Sequence, residues 1–75
     1  MESQRSIRYM RLPEVKNKTG LGKTTLYGMI KGGEFPAPVK IGGRAVGWVE
    51  SEVDQWAVAR LAERVTPEQL SQLGA

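Results

Sequence analysis

The 75-residue sequence contains no cysteine and no histidine. Without cysteine there are no disulfide staples and no thiolate sites, and without histidine the commonest metal ligand and general base are missing. A zinc finger and any histidine-dependent hydrolase are thereby excluded, and no metal or cofactor is expected. No stretch approaches the roughly 18 apolar residues of a membrane-spanning helix. Met1-Glu2-Ser3-Gln4 lacks the apolar run of a secretory signal, so a cytoplasmic location is expected. The chain has length for one domain, and at this size only about 60% of the unfolded surface is buried. That permits one modest core and leaves no room for a pocket with catalytic apparatus, so the chain is not expected to be an enzyme.

What the sequence does have is charge, unevenly placed. Residues 3–47 carry Arg5, Arg8, Arg11, Lys16, Lys18, Lys23, Lys31, Lys40 and Arg44 against Glu14 and Glu34, or 9 − 2 = +7. Residues 48–75 carry Arg60 and Arg64 against Glu50, Glu52, Asp54, Glu63 and Glu68, or 2 − 5 = −3, and Glu2 brings the total to +3. A basic front and an acidic back point to a polyanionic partner for the front.

Local patterning divides the chain into short elements. Residues 1–6 are polar and expected to be disordered. Ile7 to Leu12 places β-formers at alternate positions and reads as a short strand. Pro13 suits the first position of a helix that runs through Val15 to about Lys18 and stops at Thr19-Gly20. A second helix over 23–31 puts Leu26, Met29 and Ile30 on one face and Thr24, Gly28 and Lys31 opposite, with Tyr27 at the flank. Gly32-Gly33 ends it. Two helices joined by a short glycine-containing turn make a helix-turn-helix pattern. Glu34-Phe35-Pro36-Ala37-Pro38 breaks the helix, because proline lacks a donor and disfavours α conformation in its predecessor.

Val39-Lys40-Ile41 and Ala45-Val46-Gly47-Trp48 flank Gly42-Gly43 as a β-hairpin, with Lys40 and Arg44 projecting from its solvent face and tip. Ser51 is the expected N-cap of a third helix, whose stripe Val53, Trp56, Ala57 and Leu61 continues to about Arg64. Thr66-Pro67-Glu68-Gln69 has the form of a capping box, and Val65 with Leu70 the form of a hydrophobic staple. The tail helix so begun docks either on the domain or on a partner. The expected core is Leu26, Ile30, Phe35, Val46, Trp48, Val53 and Trp56. The fold class is mainly α with a small β-hairpin, a winged helix-turn-helix over 7–64 followed by a short helix or tail over 65–75.

Three constellations suggest chemistry. Gly20-Leu21-Gly22-Lys23-Thr24-Thr25 resembles a phosphate-binding loop, but the first glycine of that motif falls on Asn17, and a helix stands where a buried strand is required. Glu50, Glu52 and Asp54 cluster at a helix N-terminus, where ordinary dipole stabilisation accounts for them. Trp48 and Trp56 are of the residue type that forms stacking platforms for single strands, yet their spacing with Val46 and Val53 reads as core. The helix-turn-helix is the stronger signal. Its second helix shows hydroxyl and cationic groups without carboxylates, a basic hairpin follows, and the acids are deferred to the part facing away. Such a helix enters the major groove while cationic neighbours fix register on phosphates.

Leu12-Pro13-Glu14-Val15, Thr19-Gly20-Leu21, Thr25-Leu26-Tyr27, Ile30-Lys31, Phe35-Pro36-Ala37-Pro38-Val39-Lys40 and Gly43-Arg44-Ala45-Val46-Gly47-Trp48 follow in order. This series resembles the AlpA-type prophage regulators, relatives of phage excisionases and of the MerR-type winged helix-turn-helix, from about Arg11 to Trp56. The resemblance implies binding of specific double-stranded DNA and control of integrase and excision genes of a prophage or genomic island. It equally admits an excisionase that bends attachment-site DNA and works with a phage-type integrase. The family pattern usually opens the recognition helix Ser-Arg-Ser-Thr and carries Arg after the Tyr. Here Gly22-Lys23-Thr24-Thr25 stands at the opening and Gly28 in the Arg position, so this chain either reads a different base there or needs a close backbone approach. Expected DNA contacts are Lys23, Thr24, Thr25, Tyr27, Gly28, Lys31, Lys40 and Arg44. One recognition helix covers few base pairs, so a dimer or a cooperative array of copies on DNA is expected. A protein-interaction module using the acidic third and the tail is the reading from another class.

Overall fold

The computed structural model describes residues 7–73, so the expected disorder of residues 1–6 lies outside the described residues. The chain folds as β1 (Tyr9–Met10), α1 (Leu12–Thr19), α2 (Lys23–Lys31), β2 (Val39–Gly42), β3 (Ala45–Val49), α3 (Glu50–Arg60) and α4 (Pro67–Leu73), with a 3-10 turn at Leu61–Glu63 after α3. No helix among the described residues is long and apolar enough to cross a membrane.

Each helix start and stop has a local cause. At α1 the Arg11 N–H donates to Glu14 Oε1 at 3.2 Å. Pro13 occupies the second helical position rather than the expected first, still within the turn whose N–H groups have no helical partner. Gly20 ends α1 at φ 77°, donating its N–H to the Lys16 carbonyl at 2.8 Å. The Thr19 hydroxyl donates to the Val15 carbonyl and accepts from the Leu21 N–H, which fixes the three-residue turn Gly20-Leu21-Gly22. Gly20→Ala forces a Cβ into the left-handed region, and about 1 kcal/mol of stability should be lost in denaturant unfolding.

The hairpin gains a third strand. β1 pairs antiparallel with β3 (Tyr9 with Val49, Met10 with Trp48) on the side away from β2, giving the order β1-β3-β2. The expected strand over 7–12 is therefore only two residues long, because Arg11 already flanks α1. In β2, Val39 pairs with Gly47 and Lys40 with Val46, and a bulge at Ile41 precedes the pairing of Gly42 with Ala45. A Cβ at Gly47 would sit 3.1 Å from Ile41 Cδ1 and 3.2 Å from Tyr9 Cβ, so a hydrogen there lets the two outer strands close over the central one.

β3 runs directly into α3. The Glu50 N–H donates to the Arg8 carbonyl at 2.8 Å, continuing the strand pairing into the first helical residue. Val49 is consequently the N-cap, and Ser51, the expected cap, lies inside the first turn. The stripe on α3 is also shorter than expected. Val53 is buried and Trp56 and Ala57 half-buried, but Leu61 is exposed in the 3-10 turn that ends the helix.

The buried core is Met10, Val15, Leu26, Phe35, Trp48 and Val53, with Leu12, Leu21, Met29, Ile30, Val46 and Trp56 packed around it. Met10 and Val15 were not in the expected core, while Ile30, Val46 and Trp56 are only half-buried. Both indoles are tied to one loop. Trp48 Nε1 donates to the Pro36 carbonyl at 3.0 Å and Trp56 Nε1 to the Glu34 carbonyl at 2.9 Å. Between these anchors Phe35 meets the Trp56 ring edge-on, centroids 4.8 Å apart. The segment joining α2 to the hairpin is thus pinned at Glu34 and Pro36.

The Thr66 box forms as expected, with Gln69 Oε1 accepting from the Thr66 N–H and the Thr66 hydroxyl from the Gln69 N–H. Val65 and Leu70, the expected staple pair, are each 47% exposed. Every residue from Val58 to Leu73 is exposed, so the tail is not docked in the core.

Candidate nucleic-acid interface

α2 is positioned by its apolar face. Leu26 is buried, and Met29 and Ile30 pack against the core beside it. Helical geometry then fixes what faces out: Thr24, Gly28 and Lys31 lie opposite Leu26, with Thr25 and Tyr27 on the two flanks. All five, and Lys23 at the helix start, are exposed. Lys23 Nζ stands 5.9 Å above the centroid of the Tyr27 ring, which keeps the ammonium and phenol together at one edge of this face. Gly22 caps the helix without a side-chain hydrogen bond, and no acidic residue occupies its first turn.

Gly28 has no packing reason to be glycine. A Cβ there meets nothing within 4 Å, so the chain's own atoms do not require the gap. Gly28→Ala should raise stability by about 1 kcal/mol through helix propensity, read as a higher denaturant midpoint. A simultaneous loss of duplex binding would show that the gap serves a close approach by the ligand.

Lys40 lies in β2 and Arg44 at the hairpin tip, both exposed. The loop pinned by the two indoles carries the chain from the end of α2 into β2, which sets where the hairpin stands relative to the helix. The structure therefore builds two exposed groups on one rigid base: Lys23, Thr24, Thr25, Tyr27, Gly28 and Lys31 on α2, and Lys40 and Arg44 on the hairpin. Sequence reasoning did not single out Lys16 and Asn17. They line a shallow groove beside Gly20, Leu21 and Gly22, immediately before α2. Their position in the last turn of α1, next to a glycine stop, was the signal available.

Electrostatics separates these groups from the acids. Among the described residues, Lys23, Lys31, Lys40 and Arg44 have no ion-pair partner, whereas Glu50 pairs with Arg8 at 3.5 Å, Asp54 with Lys18 and Glu63 with Arg60 at 3.5 Å. Glu50 and Asp54 thus tie α3 to the chain before β1 and to α1. The hydrogen bond to Asp54 holds the Lys18 pKa above its ordinary 10.5. A raised lysine contributes stability below its unfolded value and loses it as pH rises through the folded one. The Lys18 contribution is therefore constant across neutral pH.

A mostly helical chain with a three-stranded antiparallel sheet, a tight helix-turn-helix and a hairpin that follows the second helix is a protein of the winged-helix class. The family model described as "Prophage CP4-57 regulatory protein (AlpA)" matches residues 8–61. The chain belongs to this AlpA family. It is 46% identical over 57 residues to the uncharacterized protein ORF88 of Enterobacteria phage P4, a match covering 76% of this chain and 65% of the phage protein's length. It is also 33% identical over 66 residues to the DNA-binding transcriptional activator AlpA of Escherichia coli K12, covering 80% of this chain and 94% of that protein.

Proposed function

We propose that the chain is a sequence-specific, double-stranded DNA-binding transcriptional regulator of integrase or excision genes carried by a prophage or genomic island. The observation that carries this reading is the outer face of α2, which is exposed, cationic and hydroxyl-bearing, free of carboxylates and held on a helix-turn-helix. Membership of the AlpA family and similarity to a protein named as a DNA-binding transcriptional activator support it.

In this reading α2 enters the major groove. Thr24 and Thr25 meet base edges, Lys23 meets a base edge or phosphate, and Tyr27 and Lys31 hold the backbone. Gly28 lets the helix axis come close to the base edges at mid-helix. Lys40 and Arg44 reach the adjacent groove, with the Arg44 guanidinium suited to a narrow minor groove. Lys16 and Asn17 add backbone contacts at the turn. Among the described residues Lys23, Lys31, Lys40 and Arg44 have no ion pair to give up, so their binding proceeds by counterion release without breaking structural ion pairs.

Genome-wide mapping of DNA bound by the chain tests the assignment. Enrichment at promoters of integrase or excision genes is the expected result. Enrichment at recombination attachment sites instead would make the protein an excisionase acting with the integrase. Absence of any duplex preference at moderate salt would leave a protein-interaction module.

A further inference from the structure

The exposed face of α2 is divided along its length. Turning by about 100° per residue, Lys23, Tyr27 and Lys31 fall within one arc of about 80°, and Thr24, Gly28 and Thr25 within an adjoining arc of about 100°. All six residues are exposed, and Leu26 opposite them is buried. The first arc is cationic and phenolic. Its Lys23 ammonium lies 5.9 Å above the Tyr27 ring, which holds the charge at that flank. The second arc carries no charge. Gly28 lies in it, with Thr25 three residues and Thr24 four residues earlier, and a Cβ at Gly28 would meet nothing within 4 Å. Positions three and four apart are neighbours on a helix surface, so the missing side chain leaves a notch bordered by the two threonines. Glycine weakens an exposed helix interior relative to alanine, and no contact within the chain requires it here.

We infer that the uncharged arc of α2 reads thymine through its C5 methyl, with the Gly28 notch receiving the methyl of one thymine and the arc of Lys23, Tyr27 and Lys31 following phosphates. The inference rests on α2 being the helix that enters the major groove. The chemistry of the face narrows the base. In that groove guanine is read by Arg or Lys, adenine by Asn or Gln, cytosine by Asp or Glu, and thymine by apolar contact with its methyl. α2 contains no Arg, Asn, Gln, Asp or Glu. Its two lysines belong to the other arc, where one is held over Tyr27. A threonine hydroxyl bonds to donors and acceptors alike and discriminates little, whereas its methyl has a partner only in an apolar group. The thymine methyl is the one base feature in the groove that needs no hydrogen-bond partner, and the Thr24–Thr25–Gly28 arc supplies what it does need: methyl groups at its border and space at its centre. A Cβ at Gly28 would occupy that space.

Selection of tightly bound duplexes from a random pool by the full chain supplies the probe, and base analogues in the selected duplex provide the test. Uracil in place of thymine removes only the methyl, and deazapurines in place of guanine or adenine remove only the N7 acceptor. The expected result is a thymine at which uracil weakens binding about fourfold, the worth of one buried methyl. Deazapurines should change affinity by less than about twofold. Gly28→Ala should bind the thymine and uracil duplexes equally, with its helix intact by circular dichroism, while Lys40→Ala on the hairpin should keep the full preference. A selected duplex indifferent to every uracil replacement, or more dependent on guanine N7 than on any thymine methyl, overturns the proposal and leaves the DNA-binding reading standing. A Gly28→Ala chain that still prefers thymine about fourfold overturns it as well. A chain that enriches no duplex overturns both.

Discussion

Trp48→Ala is expected to remove about 3–5 kcal/mol of folding stability, enough to leave much of the chain unfolded at 37 °C. Trp48 is fully buried at the centre of the sheet, between β1 and β2, and is the largest side chain in the core. Its loss opens a cavity that Val15, Leu26 and Val53 cannot fill without moving the helices they belong to. The substitution also leaves the Pro36 carbonyl without the indole donor that anchors the loop between α2 and the hairpin. Small domains hold little stability in reserve, so one such change is decisive. Trp48→Phe separates the two effects: it keeps most of the volume, loses the hydrogen bond, and should cost about 1–2 kcal/mol. Urea unfolding followed by circular dichroism measures both. A cost for Trp48→Ala below about 1 kcal/mol would mean that Trp48 does not organise the core as described.

Much of this arrangement is legible locally, and two of the exceptions share one cause, a long-range strand pairing. The αL stop at Gly20, the extent of α2, the hairpin around Gly42-Gly43 and the Thr66 capping box depend on residues within a few positions of each other, and all are visible in the sequence. Met10 is buried because β1 pairs with β3 nearly forty residues later, which no local pattern announces. The same pairing displaces the N-cap of α3 from Ser51 to Val49, because the Glu50 N–H is already committed to the Arg8 carbonyl. Leu61 fits a helical stripe by spacing, but α3 gives way to a 3-10 turn before that residue can reach the core.

The outward face of α2 follows from period alone once Leu26 is known to point inward. Hence the exposure of Lys23, Thr24, Thr25, Tyr27, Gly28 and Lys31 was readable. What was not readable is the rigidity of the path from α2 to the hairpin. That depends on where two indole N–H groups find acceptors, and only the folded chain brings Trp48 and Trp56 to the Glu34–Pro36 backbone.

That rigid path makes joint removal of Lys23, Lys31 and Arg44 informative. With all three replaced by alanine, affinity for a bound duplex should fall roughly a hundredfold at physiological salt. The slope of log K against log salt should flatten by about 2.7, or 0.9 for each phosphate no longer neutralised. Stability should hardly change, because none of the three is buried or, among the described residues, ion-paired. Thr24→Ala provides the contrast. A hydroxyl at a base edge contributes discrimination rather than counterion release, so its loss should leave the salt slope intact and relax sequence preference at one position. Arg8→Ala should leave the slope unaltered, since its guanidinium is engaged with Glu50 at the start of α3. Titration of a fluorescent duplex at several salt concentrations measures all three variants. If the triple replacement kept the wild-type slope, phosphate neutralisation would have to come from elsewhere, and α2 with the hairpin would not be the DNA-binding face. If only the hairpin residue mattered, α2 would lie outside the groove. The combined effect is therefore expected to approach the product of the separate ones, as for independent phosphate-binding groups displayed on one pinned scaffold.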